Sequence, residues 1–117
     1  MKKYRAIAID DDPIFLKIVE KTLETIPSIE LIGCFDNPVT GAIQVVNKKP
    51  DVLFLDIEMP FIDGFETVEL LDKKPKIIVI SSYDSTDEKV KEINPHAFLS
   101  KPLDRDQLIQ ALDRLED

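Results

Sequence analysis

Three stretches of the chain are apolar at every consecutive position: Ala6-Ile7-Ala8-Ile9, Val52-Leu53-Phe54-Leu55 and Ile77-Ile78-Val79-Ile80. A strand with one wet face alternates apolar and polar residues. A strand that is apolar throughout must be covered on both faces, which is the mark of a parallel sheet between layers of helices. Two further runs, Ile29–Cys34 and Ala97–Leu99, complete the series. Strand starts recur every ~20–25 residues, room for one crossover helix each time. The spacing therefore predicts an α/β fold, a doubly wound (βα)5 unit with a five-stranded parallel sheet. Right-handed crossovers with helices on both faces favour strand order 2-1-3-4-5.

Helix signals fill the gaps. Ile14, Phe15, Ile18, Val19, Leu23 and Ile26 repeat at helical spacing, with Asp12 as N-cap and Pro13 at the first helical position. Asn37-Pro38 repeats that start before Val39, Ala42, Ile43 and Val46. Phe65, Val68 and Leu71 mark a third helix after Gly64. Ser85 with Glu88 opens a fourth with a thin apolar face (Val90, Ile93), and Asp104 with Gln107 a fifth that turns Leu108, Ile109, Leu112 and Leu115 inward. No linker, low-complexity tract or other repeat interrupts this period.

Composition narrows the function. At 117 residues the expectation is one domain over 1–117. The formal net charge of −8 argues against direct nucleic-acid binding and favours cations or protein partners with basic faces. No apolar run approaches the roughly 20 residues of a membrane span. Cys34 is the single cysteine and His96 the single histidine, which excludes an internal disulfide and a Cys/His zinc site and fits a cytoplasmic setting.

In a doubly wound sheet ligands bind at the carboxyl ends of the strands, beside the point where strand order reverses. The residues that follow the strands therefore carry the chemistry. They are Asp10-Asp11-Asp12 after strand 1, Asp56 after strand 3, Ser81-Ser82 after strand 4 and Ser100-Lys101-Pro102 after strand 5. Carboxylates crowded into one crevice repel, so they gain protons or attract a cation. An all-oxygen set suits a hard divalent ion, Mg²⁺ foremost. Lys101 adds a point charge and Ser81 a hydroxyl, both suited to phosphoryl oxygens. The combination is a cradle for phosphoryl transfer, with Asp56 as the carboxylate nucleophile that would form an aspartyl phosphate. Strand alternation does not choose between Ser81 and Ser82. Asp12 is better explained as a helix cap, and Cys34 as a small buried hydrophobe.

In order and spacing, Ile9-Asp10-Asp11-Asp12-Pro13, Phe54-Leu55-Asp56-Ile57-Glu58-Met59-Pro60 with Asp63-Gly64, Ser81, and Lys101-Pro102 resemble the receiver domain of two-component response regulators. The resemblance runs from about Tyr4 to Leu115. It implies a flavodoxin-like receiver that takes a phosphoryl group from the phosphohistidine of a sensor histidine kinase, or from a phosphotransfer protein, onto Asp56. Asp10, Asp11, Asp56 and the backbone carbonyl of Glu58 would hold Mg²⁺. Ser81, favoured over Ser82 by its offset to Lys101, would bind phosphoryl oxygens together with Lys101. The Lys101–Pro102 bond would be cis. Ser81 and the aromatic Phe98 would act as a switch that alters the surface of the fourth helix, fifth strand and fifth helix. Through that surface the domain would control a partner or output domain or form a homodimer.

The chain departs from the family's usual pattern at Asp12 (often Glu), Phe61 (often Gly) and Phe98 (often Tyr). Its wording is similar to receivers joined to LytTR-type DNA-binding domains. No such domain follows Leu115, so the expectation is a stand-alone receiver or the receiver part of a longer regulator, and not an enzyme beyond its own phosphorylation and dephosphorylation. Two alternatives compete. A haloacid-dehalogenase-like phosphatase would use Asp10 as nucleophile, but Ile14 and the lack of an acidic pair after Lys101 oppose it. A pseudo-receiver would keep the fold as a binding module without phosphorylation.

Overall fold

The computed structural model describes residues 3–57, 74–82 and 94–116. Five parallel strands form one sheet: β1 (Tyr4–Ile9), β2 (Ile29–Phe35), β3 (Val52–Leu55), β4 (Lys76–Ser81) and β5 (Ala97–Ser100). Their order is β2-β1-β3-β4-β5, the order expected from the crossover rules. Helix α1 (Pro13–Glu24) follows β1, α2 (Pro38–Lys48) follows β2, and a C-terminal helix (Arg105–Asp113) follows β5. The expected third and fourth helices, with Phe65, Val68 and Leu71 and with Ser85, Glu88, Val90 and Ile93, lie outside the described residues.

The apolar runs are buried on both faces, as their patterning requires. Ala6, Ala8, Val52, Phe54, Ile78 and Ile80 join α1 and the C-terminal helix in one cluster. Ile7, Ile9, Leu53, Leu55 and Val79 turn the other way and meet Ala42 and Val45 of α2. Alternate residues of each run thus feed opposite layers.

The helix starts follow their capping residues. Asp12 accepts from the Ile14 N–H at 3.0 Å, Asn37 from those of Val39 and Thr40 at 2.9 and 3.1 Å, and Asp104 from those of Asp106 and Gln107 at 2.8 and 3.2 Å. Arg105 ties the C-terminal helix to the end of α1, donating from Nε to Thr25 Oγ1 at 2.8 Å. His96 accepts the Ile77 N–H on Nδ1 at 3.1 Å and so bridges the starts of β4 and β5.

The helix faces differ from the periodicity reading. Ile14 and Ile18 are 72% and 46% exposed, and Leu16 takes the inward position beside Phe15, Val19 and Leu23. In α2, Val39 and Ile43 are exposed, while Gly41, Ala42 and Val45 face the sheet. Both helices carry more apolar residues than one face holds, so spacing alone left the rotation open.

Gly41 sets how close α2 lies to the sheet. A Cβ there would stand 2.5 Å from Ile9 Cδ1 and 2.7 Å from its Cγ1. Alanine favours a helix over glycine by roughly 1 kcal/mol, but the clash with a buried strand residue outweighs that gain. Gly41→Ala is expected to lower stability by about 1–3 kcal/mol, read as a lower urea midpoint at unchanged slope.

Candidate functional site

The polar residues after the strands remain in the sheet's hydrogen-bond ladder. Asp10 N–H donates to Phe35 O at 3.1 Å, Asp56 N–H to Ile9 O at 3.1 Å, and Lys101 N–H to Ser81 O at 3.0 Å. Their backbones are therefore fixed by the neighbouring strands and not by loops. Pleat alternation turns the Asp10 and Asp56 side chains to the α1 side, where they border a small cleft with Phe15, Leu16, Phe54 and Ile80.

Carboxylate oxygens of Asp10, Asp11 and Asp56 lie within 4.8 Å of one another. Asp10 and Asp56 are each only 3% exposed, whereas Asp11 is on the surface. Buried carboxylates need a counter-charge. Lys101 supplies one, its Nζ standing 3.0 Å from Asp10 Oδ2 and 3.3 Å from Asp56 Oδ2. The contact with Asp56 is a hydrogen bond. Asp10 Oδ1 accepts the Asp12 N–H at 2.8 Å. Among the described residues the buried Asp10 Oδ2 has no hydrogen-bond partner, and Lys101 faces it as an ion-pair partner.

Burial by itself would lower the pKa of Lys101. The short contact with Asp10 and the charges of Asp56 and Asp10 outweigh burial and hold the ammonium above its ordinary value of 10.5. The stabilisation from this charge is therefore complete below the ordinary lysine range and is lost as pH rises through the raised value.

One ammonium does not balance three carboxylates. The clustered oxygens of Asp10, Asp11 and Asp56 could hold a hard divalent cation, and an all-oxygen set fits Mg²⁺. The sequence expectation for Asp10, Asp11, Asp56 and Lys101 is met in that they share one site. Glu58, whose carbonyl was expected to complete the set, lies outside the described residues, as do Met59, Pro60, Phe61, Asp63 and Gly64.

Ser81 ends β4 fully buried, while Ser82 is exposed. Ser81 sits on the strand between β3 and β5 and is joined to Lys101 through its own carbonyl. Phe98 is half-buried on β5 and packs against the layer on the α2 side. The Lys101–Pro102 peptide is cis.

Sequence reasoning missed one neighbour of the site. The ring of Phe15 lies under the Lys101 ammonium, 4.3 Å from centroid to Nζ. Its sign in the sequence is an aromatic in the first turn of the helix that follows the acidic strand end.

The structure defines a doubly wound α/β domain with an acidic pocket at the carboxyl edge of its sheet, and comparison with known proteins gives its family. The chain belongs to the response regulator receiver domain family, whose model matches residues 6–113. The transcriptional regulatory protein BtsR of Escherichia coli (strain K12) is 36% identical over 115 residues, covering 95% of this chain and 47% of BtsR. The chain thus spans about half the length of that relative. The signal receiver domain of NarL from Mycobacterium tuberculosis superposes with a TM-score of 0.85 at 24% identity, over 99% of this chain and 98% of that one. A structure of CheY6 from R. sphaeroides in complex with the P1 domain of CheA3 gives 0.81 at 22%, over 98% of both chains.

The chain is accordingly a receiver domain of the two-component response regulators, and the phosphatase alternative falls away. Receiver domains bind Mg²⁺ through an acidic pocket, and Asp10, Asp11 and Asp56 form such a pocket here. Among the described residues no helix is long and apolar enough to cross a membrane.

Proposed function

We propose that Asp56 is the phosphoacceptor and that a sensor histidine kinase, or a phosphotransfer protein, is the donor. The observation that carries this reading is the meeting of Asp56 and Lys101 at 3.3 Å beside the Asp10–Asp11–Asp56 cluster. An oxygen of Asp56 attacks phosphorus, the P–N bond to the donor's imidazole breaks, and its electron pair leaves on that ring. Lys101 and Ser81 neutralise charge on the equatorial phosphoryl oxygens. Asp10, Asp11 and Asp56, with the carbonyl of Glu58, would hold Mg²⁺, which when bound offsets the negative charge shared by carboxylate and phosphoryl group. Asp56 is well suited to be the acceptor because its backbone is held by the ladder while its side chain borders the cleft.

Ser81 and Phe98 form the switch in this proposal, and phosphorylation biases an existing equilibrium between two states. The altered surface around β5 and the C-terminal helix then controls a downstream partner or output domain, or pairs two copies. Residues 1–117 act as one cytoplasmic receiver domain with no turnover beyond its own phosphorylation and dephosphorylation. The CheY6 structure holds a receiver with a domain of CheA3, which supports the choice of partner class. With a net charge of −8, the domain itself does not contact nucleic acid.

Beryllofluoride with Mg²⁺ tests the reading by NMR. Amide resonances of Asp56, Ser81 and Lys101 are expected to shift together, saturably, and not in Asp56→Asn. A wild-type spectrum unmoved by both reagents would leave the pseudo-receiver reading in its place.

A further inference from the structure

Lys101 has three N–H donors and, among the described residues, three partners for its ammonium. Two are carboxylates, Asp10 at 3.0 Å and Asp56 at 3.3 Å, and the third is the ring of Phe15 at 4.3 Å. The ring is 7% exposed, so it is fixed by packing between α1 and the sheet and has little freedom to move aside. An ammonium within about 6 Å of an aromatic centroid is attracted by the ring's negative face, and more strongly where water is scarce.

The two carboxylates are not equivalent partners. Asp56 hydrogen-bonds the ammonium, whereas Asp10 meets it as an ion pair, and a cation drawn to the Asp10–Asp11–Asp56 cluster competes with Lys101 for that charge. Lysine is a flexible four-carbon stem, and an ammonium that loses one of two anchors gains rotamers. Phe15 does not compete for any ligand of the site. Resting on Asp56 as the phosphoacceptor, we propose that Phe15 is a positioning residue: its ring face keeps the Lys101 ammonium beside Asp56 once Asp10 is engaged by the metal. The role belongs to the π face, because an aliphatic side chain of similar size would fill the cleft without attracting a charge.

The test uses the whole chain and three variants. In metal-free wild type the ε-methylene protons of Lys101, observed with ¹³C-labelled lysine, are expected upfield through the ring current of Phe15. Phe15→Leu removes that shift and Phe15→Tyr keeps it. With Mg²⁺ present, Phe15→Leu is expected to weaken beryllofluoride binding about fivefold, equivalent to about 1 kcal/mol. Phe15→Tyr is expected to bind as wild type does, and Mg²⁺ affinity to stay within about twofold in all of them.

Should Phe15→Leu fail to fold, Phe15→Met removes the π face at nearly constant volume and carries the same expectation. Lys101 methylene protons at ordinary shifts in wild type would overturn the proposal. So would wild-type beryllofluoride affinity in Phe15→Leu, or an equal loss in Phe15→Leu and Phe15→Tyr, which assigns Phe15 to packing alone. A wild type that binds no beryllofluoride sinks the phosphoacceptor reading, and the positioning role with it. The methylene shift still records separately whether the ring holds the lysine.

Discussion

Wild-type protein incubated with acetyl phosphate and Mg²⁺ gains one phosphoryl group in intact-mass spectra, and Asp56→Asn gains none. The substitution is nearly isosteric and keeps an oxygen able to accept the Lys101 N–H, now 3.3 Å away. It removes only the negative oxygen that attacks phosphorus. The expected loss is complete, because an amide is not a nucleophile at neutral pH, and Asp10, which shares both the ladder and the lysine, spends its Oδ1 on the Asp12 N–H. Stability should not fall with it, since relieving charge repulsion among Asp10, Asp11 and Asp56 offsets a weaker contact with Lys101. Equal labelling of the two proteins would put the acceptor elsewhere.

Magnesium is expected to raise the melting temperature through mass action on the folded state alone. At tenfold its dissociation constant one ion adds about 1.4 kcal/mol. For a domain of this size that amounts to roughly 4–6 °C. Asp11→Ala should remove most of the rise. Asp11 is the informative residue because it is exposed, so truncating it leaves no hole and orphans no buried partner. Asp10 would be a poorer choice, as its Oδ1 fixes the Asp12 N–H at the start of α1. A thermal scan without any Mg²⁺ response in wild type, at concentrations well above millimolar, would count against the metal site.

The sheet was legible in the sequence because its signal is local. A run such as Val52–Leu55 can be satisfied only between two layers, and Asp12, Asn37 and Asp104 announce helix starts through bonds to residues two or three places on. Convergence of Asp10, Asp56 and Lys101 followed from topology, since parallel strands in one sheet present their ends along one edge. Helix rotation was less legible. In α1, apolar residues cover Ile14, Phe15, Leu16, Ile18 and Val19, more than half the circumference, and only the neighbouring layers decide that Leu16 goes in and Ile14 out. The seat of Lys101 on Phe15 was not legible at all. It joins the first helix to the last strand, and no local pattern encodes a meeting between residues so far apart.

Asp10, Asp56 and Lys101 each stand one step past the end of a strand, still tied into the ladder by their own amides. Loops other than those that carry Asp11 and Glu58 can therefore lengthen or shorten without moving Asp10, Asp56 or Lys101. Strands cannot. Deleting one residue within Val52–Leu55 would advance Asp56 by a pleat and swing its carboxylate into the layer now held by Leu55, Ile57 and Val79. Reading frame within each strand, more than any loop sequence, is what this small machine must inherit unchanged.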